Sequence, residues 1–122
     1  MTDVATTVDT YLSAYNEPDG ATRLALLEQA FTDGGRLIDP PLTGEGRTGI
    51  SEMMGTVHEH YPGHTFRRAS GIEEHHGQLR YGWEFLGPDG NVAIAGMDVG
   101  ELDDHGRLVR VTGFFDPLPD VD

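Results

Sequence analysis

QLRYGWEFLGPDGNVAIAGMDVGEL, residues 78–102, reads as two strands and the turn between them. Leu79, Tyr81, Trp83 and Phe85 alternate with Arg80, Gly82 and Glu84, the period of a strand with one face buried. Gly87-Pro88-Asp89-Gly90 has the residues a hairpin turn demands. The chain then runs extended from Val92 to Leu102. On the C-terminal side, Asp103-Asp104-His105-Gly106 turns it again, and Leu108 to Phe115 is a last strand. On the N-terminal side, one strand over about Thr65 to Glu73 enters through the turn His75-His76-Gly77.

Upstream of these four strands the period changes to that of a helix. Val4, Val8, Leu12 and Tyr15, with Tyr11 on the same side, predict a helix from about Asp3 to Asn16. Pro18-Asp19-Gly20 ends it, and Asp19 is placed to cap a second helix with the stripe Leu24, Leu27 and Phe31. Gly34-Gly35 reads as its stop. Arg36-Leu37-Ile38-Asp39 is a short extended piece, and Pro40-Pro41 hold residues 39 and 40 out of a helix. Residues 42–47 read as a loop. Thr48 is placed to cap a third helix with the face Ile50, Met53, Met54, Val57 and Tyr61, which Pro62-Gly63 stops. Helices followed by hairpin strands predict an α+β fold. We expect a cone-shaped curved antiparallel sheet with three helices on one face, enclosing a pocket. One domain is expected over residues 1–122, with 116–122 as a tail.

Composition narrows the functions open to such a pocket. The 122 residues carry 21 acidic and 8 basic side chains, a net charge of −13, and every basic residue is Arg. That balance argues against nucleic acid and anionic membranes as partners. There is no Cys, so thiol nucleophiles and zinc–thiolate sites are excluded. Met1-Thr2-Asp3 opens no apolar run, and no stretch nears the roughly 20 apolar residues of a membrane span, so a cytoplasmic protein is expected. His58 and His60 are two apart on a helix and diverge, and the remaining histidines lie in turns, so no metal site is expected and most His read as surface.

Three residues stand out chemically. Asp39 follows Leu37-Ile38 and precedes two prolines, a setting in which partial desolvation suits a carboxylate to act as a general base. The plain alternative is that it braces the turn. Asp98 interrupts the apolar run 92–99 on the face of Ile94 and Gly96, where a carboxyl must be paired, hydrogen-bonded or protonated. Its plain alternative is an ion pair with Arg36 or Arg110. Tyr11 faces inward on the first helix and could donate to a ligand oxygen, although such a tyrosine is more often core. Tyr15, Met54, Trp83, Phe115 and Asp116 are the expected substrate-binding residues around them.

The chain resembles ketosteroid isomerases of the nuclear transport factor 2-like superfamily. Tyr11-Leu12-Ser13-Ala14-Tyr15-Asn16 is similar to the family's first-helix segment, Leu37-Ile38-Asp39-Pro40 to its Asp-Pro element, and Ala95-Gly96-Met97-Asp98 to a strand carrying a protonated Asp. Gly113-Phe114-Phe115 resembles the closing strand, and SnoaL-like polyketide cyclases share these strings. The resemblance implies Asp39 as the base and Tyr11 and Asp98 as donors to an oxyanion. It implies a double-bond shift through a dienolate on a small apolar carbonyl compound, or a SnoaL-like cyclisation, with no metal or organic cofactor. Gly96 stands two before Asp98, which disfavours epoxide-hydrolase chemistry of the limonene type. Two other readings stay open: a non-catalytic pocket for a small apolar ligand, and a dimerisation domain. The sheet's second face needs a cover, so a homodimer through the sheet is expected.

Overall fold

A computed structural model of the chain describes residues 3–122; Met1-Thr2, the start of the segment read above for a leader, lie outside the described residues. The order is α1 (Val4–Asn16), α2 (Gly20–Ala30), β1 (Phe31–Ile38), β2 (Thr43–Glu45), α3 (Gly46–His60), β3 (Thr65–Arg68), β4 (Glu73–His75), β5 (Gln78–Leu86), β6 (Val92–Leu102) and β7 (Leu108–Phe115). The fold is α+β, with three helices and one mixed sheet of seven strands in the order β2-β1-β7-β6-β5-β3, with β4 also on β5. Pairing is antiparallel except between β1 and β7, which run parallel. Among the described residues no helix is long and apolar enough to cross a membrane.

Local chemistry explains the helices. Asp3 accepts from the Ala5 N–H and Asp19 from the Thr22 N–H, so both first turns are capped by carboxylates. Val8, Tyr11, Leu12 and Tyr15 form the buried stripe of α1. Arg23 is buried without a carboxylate partner. Its Nη1 donates to the Glu17 carbonyl at 2.8 Å and its Nε to Ser51 Oγ at 3.0 Å, which ties the α1–α2 turn to α3.

Four boundaries differ from the sequence reading. Helix α2 ends at Ala30, and Phe31 begins a strand instead of closing a helical stripe. Gly34-Gly35 falls inside β1, where the pairing with β7 jumps between Phe31 and Arg36, so the glycines mark a bulge. Thr43–Glu45 forms a short strand where a loop was expected, and α3 starts at Gly46 after an N-cap at Glu45, ahead of Thr48. The expected strand over residues 65–73 is two strands separated by a break.

Register places the chemistry. Across the helix-facing side of the sheet, Tyr81 on β5 pairs with Asp98 on β6, and Asp98 pairs with Gly113 on β7. Ile38 at the end of β1 pairs with Thr112, so Asp39 emerges beside Gly113. The next row is Trp83, Gly96 and Phe115. Gly96 is needed there: a Cβ would collide with the Trp83 ring and with the Phe114 carbonyl oxygen.

Candidate active site

From these two rows Asp98, Trp83 and Phe115 line one cavity of about 240 Å³, closed on its other side by Tyr11, Leu12 and Tyr15 of α1 and by Val57 of α3. Asp39 and Asp98 both face it. No arginine or histidine lines it.

Asp39 follows β1, and its N–H is taken by the Leu42 carbonyl at 2.9 Å. Pro40 and Pro41 have no N–H to offer. The side chain therefore receives one hydrogen bond, from the Tyr15 hydroxyl to Oδ2 at 3.0 Å. Burial raises its pKa above the ordinary carboxylate value, and the Tyr15 hydrogen bond pulls the other way.

Asp98 is 3% exposed and accepts the Tyr81 hydroxyl at 2.6 Å on Oδ2. Burial pushes its pKa up to about 7; the Tyr81 bond opposes this and the charge of Asp39 adds to it. The Trp83 N–H pulls slightly downward, although it makes no hydrogen bond of proper geometry and is a buried donor without a partner. The ion pair considered for Asp98 does not form. Arg110 donates instead to Thr112 Oγ1 at 2.6 Å.

The two carboxyls are neighbours. A Cβ on Gly113 would collide with Asp39 Oδ1 and lie 3.2 Å from Asp98 Oδ1. The site also holds three buried phenols, at Tyr11, Tyr15 and Tyr81, each with its pKa raised well above 10 by burial first. Tyr15 and Tyr81 each donate to a carboxyl. Tyr11 faces the cavity and donates to no described residue; after burial, the charge of Asp98 is the strongest influence on it. The arrangement can hold a proton at Asp98, accept one at Asp39, and offer a hydrogen bond from Tyr11.

No family model matches the chain, and no curated protein matches it. Solved structures do. A protein from Agrobacterium tumefaciens strain C58, described as a candidate isomerase of the SnoaL-like family, is 37% identical over 96% of this chain and all of its own, with a TM-score of 0.88. The chain belongs to the SnoaL-like family. A candidate SnoaL-like polyketide cyclase from Jannaschia sp. CCS1 is 17% identical over 95% of this chain and 90% of its own, with a TM-score of 0.68. A nuclear transport factor 2-like protein of unknown function from Cytophaga hutchinsonii is 13% identical over 96% and 93%, also at 0.68. These last two show the fold.

In this SnoaL-like chain, Tyr11, Tyr15, Asp39, Trp83, Asp98 and Phe115, all singled out in the sequence, line the cavity. Met54 does not: it is fully buried in the core. Asp116 does not either. It lies exposed beyond β7, its N–H donating to the Ala95 carbonyl at 3.0 Å. The sequence reading missed Tyr81 as the partner of Asp98 and Gly113 as the seat of Asp39. It also passed over Tyr15 as a donor to Asp39, although Tyr15 stands one turn from Tyr11 on the same stripe. His58 departs from the surface reading of the histidines, since its Nε2 donates to the Tyr15 carbonyl at 2.8 Å. Among the described residues no group of three or more His, Asp or Glu could hold a metal ion.

Proposed function

We propose that this SnoaL-like protein is a cofactor-free isomerase of small apolar carbonyl compounds. Asp39, whose side chain receives one hydrogen bond from Tyr15, takes a proton from the carbon next to the carbonyl. The electron pair moves onto the carbonyl oxygen, giving a dienolate. Tyr11 and protonated Asp98 donate to that oxygen. Protonated Asp39 then returns the proton at the far carbon of the dienolate, and the double bond ends in conjugation. The observation that carries this reading is a pair of adjacent carboxyls in one apolar hollow, with Asp98 pushed up to about 7 by burial, beside the Tyr11 hydroxyl, which donates to no described residue. The same proton abstraction would open an aldol cyclisation, and the Jannaschia protein is described as a candidate polyketide cyclase. We also infer that a second copy covers the helix-free face of the sheet.

The test is to add a β,γ-unsaturated cyclic ketone and follow the ultraviolet band of its conjugated isomer. Asp39→Asn should slow conversion by roughly 10²–10⁴-fold, the usual share of a general base. The rate should fall as pH rises through about 7, where Asp98 loses the proton it donates. Saturable binding without conversion would leave a ligand pocket and remove the isomerase.

A further inference from the structure

Cavity size and hydrogen-bond balance define the ligand more narrowly than the acid pair does. About 240 Å³ lies below the roughly 300–1,000 Å³ of sites that enclose drug-sized ligands. Half of the lining residues are aromatic. Phe66 packs on Phe85 with ring centroids 4.4 Å apart and on Trp83 at 5.3 Å, forming a continuous wall. Tyr61 and Phe115, 46% and 42% exposed, also line the hollow and carry its apolar surface out to solvent.

We propose that the cavity selects a flat, neutral ketone of one or two rings and rejects anions and tetracyclic compounds. This rests on the reading above in one respect, that the ligand's oxygen sits against Tyr11 and Asp98. A carboxylate or phosphate would be buried beside two carboxyls with no cation to meet it. A neutral carbonyl satisfies both donors and leaves Asp39 free to act. Four fused rings exceed the enclosed volume and would stand out past Tyr61 and Phe115 into water.

Calorimetric titration at about pH 6, below the Asp98 midpoint, separates these cases. The probes are 2-acetonaphthone, 2-naphthoate and 4-androstene-3,17-dione. The naphthyl ketone should bind at least about tenfold tighter than each of the others, and Tyr11→Phe should reduce its affinity about tenfold or less. Naphthoate within about threefold of the ketone overturns the inference. So does a tighter steroid, or no heat from the ketone up to its solubility limit. Turnover is scored separately, by exchange of the ketone's α-protons in heavy water. Selective binding without exchange keeps the inference and removes the isomerase; turnover of the steroid does the reverse.

Discussion

A Cβ at position 113 would occupy the space where Asp39 Oδ1 now rests, so Gly113 acts through the carboxylate it seats. Gly113→Ala should push Asp39 away from Asp98 and from the cavity. A displacement of about 1 Å at a reacting group can cost roughly 10²-fold, and kcat/KM should fall on that order. A purely structural lesion would stop there. Here the Asp98 midpoint should also drop below about 7, because the Asp39 charge that helps raise it has moved, and carboxyl carbon NMR reads that midpoint directly. Asp98 itself opposes stability over a defined range. Its folded value near 7 stands above the unfolded value of 3.8, so between the two the folded state binds more protons and stability falls as pH rises. Above about 7 the loss is complete, on the order of 4 kcal/mol for a shift of this size. Asp98→Asn, which titrates nowhere, should therefore melt higher than wild type at about pH 8. The gap should close as pH falls towards about 4, where both chains hold an uncharged side chain. Equal melting temperatures across that range would mean that Asp98 is not desolvated.

Strands, not single residues, decide which side chains meet, and here a straight count along the hairpin is off by one residue. Counted straight out from the pair Leu86–Val92, Tyr81 would face Met97. An irregularity between Phe85 and Leu86 shifts the ladder by one, and Tyr81 meets Asp98 instead. The β6–β7 hairpin shifts in the same way between Glu101 and Leu102, which brings Gly113 rather than Thr112 opposite Asp98. Alternation correctly put Asp98 on the face of Gly96, and Pro40-Pro41 correctly put Asp39 at a strand end. The partners of both acids depended on bulges that no local pattern in the chain marks. Gly34-Gly35 was misread for the same reason, since a glycine pair after a helix looks like a stop and here bends a strand. The row Trp83, Gly96 and Phe115 offers a test of the observed register. Gly96→Ala adds a Cβ that must displace the indole or the backbone of β7. It should cost about 1–3 kcal/mol in denaturant unfolding. The emission of Trp83, the single tryptophan, should shift to longer wavelength as its ring leaves a buried seat. An unchanged spectrum and midpoint would place the indole elsewhere.

At the scale of the whole molecule, the three helices and the hairpin sheet were legible because their periods are long and distinct, whereas the parallel β1–β7 pair was not, because it joins segments about 75 residues apart. The two faces of that sheet differ in charge. A net −13 is spread over the chain, yet the face away from the helices carries Arg67, Arg80 and Arg110 against Glu84, Glu73 and Glu101. Arg67–Glu84 and Arg80–Glu73 are ion pairs at 2.7 and 2.6 Å. Between these balanced charges, Met97 pairs with Phe114, and they are 37% and 54% exposed. An apolar centre with a locally neutral rim, on an otherwise acidic protein, suits contact with a second copy of itself. Repulsion between the two −13 charges would oppose that contact at long range, and salt would screen it. The dimer should therefore tighten when salt is raised from about 0.01 M to about 0.5 M, opposite to an interface held by ion pairs. Sedimentation velocity should show this shift for wild type and a monomer at both salts for Met97→Glu with Phe114→Glu. Far-ultraviolet circular dichroism should stay unchanged in the double variant, because neither side chain belongs to the core. A wild-type chain that sediments as a monomer at high salt and high concentration would show that this face stays open to water.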